Sequence, residues 1–170
     1  MERTNSEAAR RSFLEFCTQA LAPLGFKPAR HHKLLISELE HVARTPGDRV
    51  IICMPPGSAK STYTSVLFPA WLMAQEPRTN IIAASHTMTL AEAFSGRVQG
   101  QIREHTGLLG YGLQNENVKR WQTTNGGEYL PAGVGGAITG FRAILGLIDD
   151  PVKSREDADS ETMREKAWNW

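Results

Sequence analysis

The stretch RVIICMPPGSAKST, residues 49–62, decides which fold this sequence predicts. It begins with an apolar run rich in β-branched residues, residues 50–54, between a Gly-Asp pair and a Pro-Pro pair, and such a run predicts a buried parallel strand. A turn of small residues follows, and then Lys60 and Ser61 open a segment that can start a helix. A strand, a small-residue turn, Lys-Ser and a helix are the parts of a phosphate-binding loop, in their usual order.

The residues predicted to bind a nucleotide are Pro56, Gly57, Ser58, Ala59, Lys60, Ser61 and Thr62. In such a loop, backbone N–H groups and the helix N-terminus bind the β- and γ-phosphates, the lysine adds a point charge, and the serine hydroxyl can ligate Mg²⁺. The match to GxxxxGK[ST] is imperfect, because Met54 and Ala59 stand at the glycine positions. Ala59 fits the loop if its φ is negative and is strained if its φ is positive. The alternative interpretation is a Pro-Gly loop followed by a surface lysine.

A second signal lies in residues 143–148, AILGLI, an apolar run that predicts another buried strand and ends in Asp149-Asp150-Pro151. Two carboxylates beside a phosphate loop can supply one ligand to Mg²⁺ and one group that orients the attacking water. The alternative is a common Asp-Asp-Pro turn at the end of a strand. The pairing of this signal with the loop favours the functional interpretation.

The order of the remaining elements predicts an α/β fold with a mostly parallel sheet flanked by helices. Residues 1–8 are polar and are expected to fray. His31 and His32 lie at the distance from the loop where an adenine-contacting element can occur, but adjacent histidines at a helix start are more often solvated. The other predicted elements are helices at 9–21, 31–44, 62–73 and 87–105, a strand at 81–85, and a hairpin of residues 119–123 and 128–131.

The composition describes an ordinary soluble globular chain of 170 residues, which is one domain or part of one. The formal net charge of +1 gives no argument for nucleic-acid binding, although it leaves room for a local basic patch. Cys17 and Cys53 are interpreted as reduced packing residues of a cytosolic protein, so neither a disulfide nor a cysteine-bound metal site is expected. No apolar run approaches the length of a membrane span, and the N-terminus has no apolar leader region.

Several segments resemble one family, the large subunit of tailed-phage terminases, which are ATP-driven DNA-packaging motors. The resemblance covers roughly residues 29–170 and is most specific over residues 133–153. It is carried by the MPPGSAKS loop, the IIAASH strand with the TLAEAFSGRV helix after it, RWQTTNGGEYLPAGVGGAITGFRA running into LGLIDDPVK, and the closing ETMREKAWNW. The resemblance implies a P-loop NTPase fold of the RecA-like (ASCE) kind, with ATP and Mg²⁺ as cofactors.

The resemblance also implies roles for individual residues. Lys60 and Ser61 match the phosphate- and Mg²⁺-binding positions, Asp149 matches the Mg²⁺-linked acid, and Asp150 falls at the position of the catalytic carboxylate. Many relatives of this ATPase class have glutamate where this chain has Asp150. An arginine finger is expected at Arg142, just before the acidic strand, with Arg97 as the second choice.

The implied partners are double-stranded DNA, a terminase small subunit, a portal protein and further copies in a ring of the full-length protein, in the cytoplasm of the bacterial host and away from membranes. Residues 1–28 are expected to form a helical arm, and residues 29–170 the N-terminal part of the ATPase domain. Because members of the family continue into further strands, a coupling motif and a nuclease domain, the isolated chain is expected to be marginally stable and nearly inactive. The alternatives are a non-catalytic prophage remnant or assembly module, and another P-loop enzyme such as a helicase or a small-molecule kinase.

Overall fold

A mixed four-stranded sheet lies at the centre of the computed structural model, which describes residues 2–170 and the side chains of residues 6–165 and 167–170. The strands are β1 Asn80–Ser85, β2 Trp121–Gln122, β3 Glu128–Gly133 and β4 Leu145–Ile148, in the spatial order β2-β3-β1-β4. β1 is parallel to both β3 and β4, whereas β2 is antiparallel to β3. The predicted strands at 81–85 and 143–148 and the predicted hairpin are therefore confirmed, within an α/β fold.

Helices flank the sheet, and a π-helix, Thr62–Leu67, runs directly into α4. The Phe68 N–H donates to the Tyr63 carbonyl, five residues back, where the helix changes to α-geometry just before Pro69. The α-helices are α1 Glu2–Arg11, α2 Phe13–Leu21, α3 Arg30–Arg44, α4 Phe68–Gln75, α5 Met88–Glu104, α6 Thr106–Leu109, α7 Arg155–Asp159 and α8 Glu161–Trp168, with a 3₁₀ turn at Ala22–Leu24. In the described part of the chain, no helix is long and apolar enough to cross a bilayer.

The N-terminal helix differs from the prediction in two respects. Residues 2–8 are helical rather than frayed, and Met1 lies outside the described residues. The single helix predicted at 9–21 is broken at Ser12, which has extended backbone angles (φ −132°, ψ 123°). The Ser12 hydroxyl accepts a hydrogen bond from the Glu15 N–H, so Ser12 ends α1 and caps α2.

The prediction of a strand at residues 50–54 is wrong. The segment belongs to none of the described strands, Ile51 is 92% exposed, and Cys53 is exposed rather than buried. β4 is the edge strand of the sheet and pairs with β1 alone among the described strands. A β-branched run forms a strand only when it pairs with another strand, and no described strand pairs with this run, although Ile52 and Met54 pack against the core.

The core lies between the helices and the sheet and fixes the strands that lead to the site. The Trp121 and Tyr129 rings, paired across β2 and β3, stack with centroids 4.8 Å apart. The Trp71 indole N–H donates to the Ala9 carbonyl at 3.1 Å and ties α4 to α1. Cys17 is fully buried in this core, as predicted. Because β1, β3 and β4 run the same way, the residues after each of them meet at one edge of the sheet.

Candidate functional site

Two carboxylates lie at the carboxyl edge of the parallel strands, directly after β4. The Asp149 N–H donates to the Ala84 carbonyl at 2.9 Å, which extends the pairing of β4 with β1. The Asp150 carbonyl accepts from the His86 N–H at 3.2 Å and from His86 Nδ1 at 3.3 Å. Both acidic residues are therefore held at the end of the strand that precedes them in the sequence.

The predicted phosphate loop borders a cavity of about 370 Å³, which is lined by residues 54–62 and Asp150. The Ser58 N–H closes a turn on the Pro55 carbonyl at 3.2 Å, and the first helical hydrogen bond after it runs from the Tyr63 N–H to the Ala59 carbonyl at 3.3 Å. The N–H groups of residues 60–62 precede that bond, so they have no carbonyl partner within the helix. The loop thus combines a cavity with a helix start that has free donors.

Lys60 joins the loop to both carboxylates, although the acidic pair lies about 90 positions away in sequence. Its Nζ is 3.3 Å from Asp149 Oδ1 and 3.1 Å from Asp150 Oδ1. Partial burial of the ammonium lowers the pKa of Lys60, but the hydrogen bonds and negative charges of Asp150 and Asp149 together outweigh burial, so the pKa is raised. The two aspartates therefore stabilise the charged form of Lys60, which is one of the residues that line the cavity.

The two carboxylates differ in their surroundings. Asp149 is only 4% exposed, and its second oxygen, Oδ2, accepts a hydrogen bond of 2.7 Å from the buried Ser65 hydroxyl. The Asp150 side chain is 64% exposed and borders the cavity. Asp149 is thus oriented by fixed partners on both oxygens, whereas Asp150 is open to water.

Positive φ angles mark three residues of the site. Gly57 has φ +77° and Ala59 φ +58°, and Asp150 has φ +48°. The condition under which Ala59 was expected to fit the loop, a negative φ, is not met. The left-handed conformation costs a residue with a Cβ roughly 1–2 kcal/mol, so Ala59 stores strain in the loop.

We expect Ala59→Gly to raise the free energy of unfolding by about 0.5 kcal/mol, because relief of the left-handed strain exceeds the extra chain entropy of glycine in the unfolded state. The matched control is Gly57→Ala, which adds a Cβ at φ +77° where no atom lies within 4 Å and should lower stability by about 1 kcal/mol. Urea unfolding of both variants measures these changes. An Ala59→Gly protein less stable than the parent would show that Ala59 is unstrained.

Three contacts at the site involve residues that the sequence alone did not assign to it. Ser65 lies one helical turn after Ser61, and that spacing is a signal that could have revealed it. His86 directly follows β1, at the edge where ligands bind to open α/β sheets, and this position is also readable from the sequence. His32 touches the loop through the Ser58 carbonyl, and no sequence signal separates this role from an exposed one.

The metal ligands, Ser61 and Asp149, remain a prediction. No hydrogen bond among the described residues joins Ser61 to Asp149, and those residues hold no group of three or more His, Cys, Asp and Glu side chains suited to a metal ion. A nucleotide-bound Mg²⁺ needs no such cage, since it usually takes one or two protein ligands together with phosphates and waters. The donor set of a hydroxyl and a carboxylate is chemically suited to it.

The structure does not bring either candidate arginine to the cavity within one chain. The Arg142 carbonyl accepts from Asn80 Nδ2 at 3.3 Å, which places Arg142 at the amino ends of β1 and β4. The four residues of β4 separate it from Asp149 by roughly 13 Å at the usual rise of a strand. The Arg97 guanidinium lies over the Phe94 ring on α5, and neither arginine is among the described residues that line the cavity. The arginine finger stays a prediction.

Comparison with known proteins gives one result that bears on this geometry. Residues 51–170 match the family model described as "Terminase large subunit, T4likevirus-type, N-terminal". This match includes both the loop and the acidic pair. A search of curated proteins found no match.

Proposed function

Because this chain belongs to the family of T4-like terminase large subunits, N-terminal part, we propose that it binds Mg-ATP at residues 56–62 and that hydrolysis of the ATP drives phage DNA into the capsid. The observation that carries this proposal is the contact of Lys60 with both Asp149 and Asp150, beside the cavity that Lys60 and Asp150 line. A surface lysine and an ordinary strand-ending turn would have no reason to converge there.

The loop residues fit the phosphates of a nucleotide. The cavity falls within the usual range of ligand sites, roughly 300–1,000 Å³, and its rim carries the unpaired N–H groups of a helix start together with the charged Lys60. Phosphate oxygens would accept hydrogen bonds from the Lys60 ammonium, which in the structure contacts the two aspartates. This chain therefore supplies both the positive charge and the directional donors that a triphosphate needs.

The hydroxyl of Ser61 and the carboxylate of Asp149 would hold Mg²⁺. When bound, Mg²⁺ neutralises charge on the β- and γ-phosphates. The Ser65 hydroxyl keeps Asp149 in one orientation by occupying Oδ2, which leaves Oδ1 directed to the Lys60 side. Ser65 is thus a positioning residue for this carboxylate.

Asp150 is the group proposed to activate water. It borders the cavity and is largely exposed, whereas Asp149 is buried and bonded on both oxygens. Such contrasting environments assign different roles to two neighbouring carboxylates. In the reaction, the water oxygen bonds to the γ-phosphorus, the bond from that phosphorus to the β–γ bridging oxygen breaks, and Asp150 orients the water and accepts its proton.

The proposed assembly follows from what a single chain does not bring together. Neither Arg142 nor Arg97 reaches the cavity from its own chain, so we assign the arginine that completes the site to a neighbouring subunit. Double-stranded DNA, further copies of the large subunit, a small subunit and a portal protein are the proposed partners, in the cytoplasm of the bacterial host.

The direct test is the affinity of Lys60→Ala for Mg-ATP, measured by titration calorimetry. We expect the Kd to rise by about tenfold, because a charge-assisted hydrogen bond to phosphate is lost. Lys33→Ala, which removes an exposed lysine from α3, is the matched control and should leave the Kd unchanged. Since Lys60 also pairs with the buried Asp149, the unfolding midpoint of each variant is measured alongside. Equal affinities in the parent and in folded Lys60→Ala would refute the proposal.

A further inference from the structure

The ring of His32 connects the start of α3 to the phosphate loop. Its Nδ1 accepts a hydrogen bond from the Ala29 N–H at 3.1 Å, and its Nε2 lies 3.0 Å from the Ser58 carbonyl oxygen. The ring also packs on Tyr63, with centroids 4.6 Å apart, and on the His31 ring at 3.9 Å. Contacts on both nitrogens and on the ring faces fix the position of this side chain.

These partners also determine where the proton of His32 resides. Nδ1 faces a backbone N–H and therefore acts as an acceptor, while Nε2 faces a carbonyl oxygen and therefore must donate. The hydrogen-bond network thus assigns the neutral tautomer with its proton on Nε2. The Tyr63 hydroxyl, 3.4 Å from Nδ1, can act as a second donor to the same acceptor.

The bond to Ser58 controls a group that faces away from His32. The Ser58 carbonyl and the Ala59 N–H belong to one planar trans peptide unit, so they point in opposite directions. Holding the carbonyl on the α3 side fixes the Ala59 N–H on the other side. Both neighbouring residues, Gly57 and Ala59, have left-handed backbone angles, which leaves this peptide unit without support from regular secondary structure.

We propose that His32 is a positioning residue for the phosphate loop, which locks the Ser58–Ala59 peptide unit so that the Ala59 N–H is preset to bind a phosphate oxygen. The proposal rests on the proposed function for the identity of the ligand. Its structural part, the locking of one peptide unit, stands independently of any nucleotide. A loop that is set before binding does not lose affinity to the cost of its own ordering.

The experiment compares two substitutions that differ in reach. Asn and Gln can both accept from the Ala29 N–H, as residues at the third position of a helix do, but only Gln is long enough to place an amide N–H where Nε2 now lies. We expect His32→Asn to raise the Kd for Mg-ATP about three- to tenfold, the worth of one net hydrogen bond. His32→Gln should stay within about twofold of the parent. His41→Asn and His41→Gln, made at a largely exposed histidine of the same helix, are the controls.

A second measurement uses the protein without nucleotide. ¹⁵N relaxation dispersion of the Ala59 amide detects exchange of the peptide unit on the μs–ms timescale. We expect such exchange in His32→Asn and none in the parent or in His32→Gln. Parental behaviour of His32→Asn in both measurements, or equal impairment of the two His32 variants, would overturn the proposal. If the parent binds no Mg-ATP, the proposed function fails, and the dispersion data still decide whether His32 locks the loop.

Discussion

Asp150→Asn is expected to bind Mg-ATP with a Kd within about threefold of the parent and to hydrolyse it about 10²–10⁴ times more slowly, the usual contribution of a general base. The substitution removes the negative charge and the basic oxygen while it keeps the size of the side chain. Asparagine also tolerates a positive φ, so the backbone at φ +48° should not move. An amide oxygen can still accept from Lys60 in place of the carboxylate.

Binding should survive because Asp150 contributes no attraction to phosphate. Its carboxylate lies 3.1 Å from Lys60 Nζ and competes with a nucleotide for that charge, so its removal does not weaken the phosphate contacts. Hydrolysis should suffer because water then lacks the group that accepts its proton. An effect on turnover without an effect on affinity is the signature of an interaction made only in the transition state.

The measurement is single-turnover hydrolysis of Mg-ATP under conditions in which the unmodified protein is active, with the Kd determined in parallel. Asp159→Asn is the matched control, since Asp159 is also an exposed aspartate paired with a basic residue, Arg155, and lies outside the cavity lining. It should leave both quantities unchanged. If Asp150→Asn turns over ATP as fast as the parent, Asp150 is not the base.

Local patterns in the sequence predicted most elements of the sheet. The runs IIAAS and AILGLI lie between turn residues, and the Asn-Gly-Gly turn fixes the hairpin, so each strand follows from its own neighbourhood. The contact of Lys60 with Asp149 and Asp150 does not follow from strand topology, because the segment before Lys60 is not a strand. One topological rule, that parallel strands bring their carboxyl ends to the same edge, does place His86 after β1 beside the two aspartates after β4. These are the parts of the site that a sequence can specify.

The wrong prediction of a strand at residues 50–54 shows what a local sequence pattern cannot determine. Its side chains have strong β-propensity, but a strand forms only as one of a pair, and propensity does not say whether another strand pairs with the run. The helix break at Ser12 is a different kind of error. The residues Ser12 and Glu15 have the spacing of a capping box, so that signal was present in the sequence and was overridden by the apolar periodicity.

The hydrogen bond between His32 and the loop could not be predicted in the same way. His32 reaches Ser58 across 26 residues. This bond depends on the docking of α3 against the loop. A histidine that orients a backbone group has the same sequence context as one that faces solvent, so only the fold separates the two.

Gly133→Ala is expected to lower the free energy of unfolding by about 3 kcal/mol, at the upper end of the usual cost of overpacking. Gly133 ends β3, where a Cβ would lie 2.7 Å from the Met88 N atom and 3.2 Å from the Thr87 carbonyl carbon. Both are backbone atoms at the start of α5, which cannot rotate aside as a side chain would. Either β3 or the whole first turn of α5 must shift.

Gly146→Ala provides the matched control within the same sheet. Gly146 lies in β4, has no atom within 4 Å of the position that a Cβ would take, and carries no positive φ, so alanine there should leave stability unchanged or raise it slightly. Thermal unfolding should show a Tm lower by about 6–12 °C for Gly133→Ala and nearly unchanged for Gly146→Ala. Equal Tm values for the two variants would show that the start of α5 can shift at little cost in free energy.

The substitution at Gly133 is also expected to affect the site. α5 begins two residues after His86, and His86 donates hydrogen bonds to the Asp150 carbonyl. A shift of the Thr87–Met88 backbone would be transmitted to His86 and from there to the strained peptide at Asp150. The glycine at the end of β3 therefore allows the backbone at the start of α5 to lie against β3, one and two residues after His86. Close approach of a second backbone is a usual reason for a glycine at such a position in a strand.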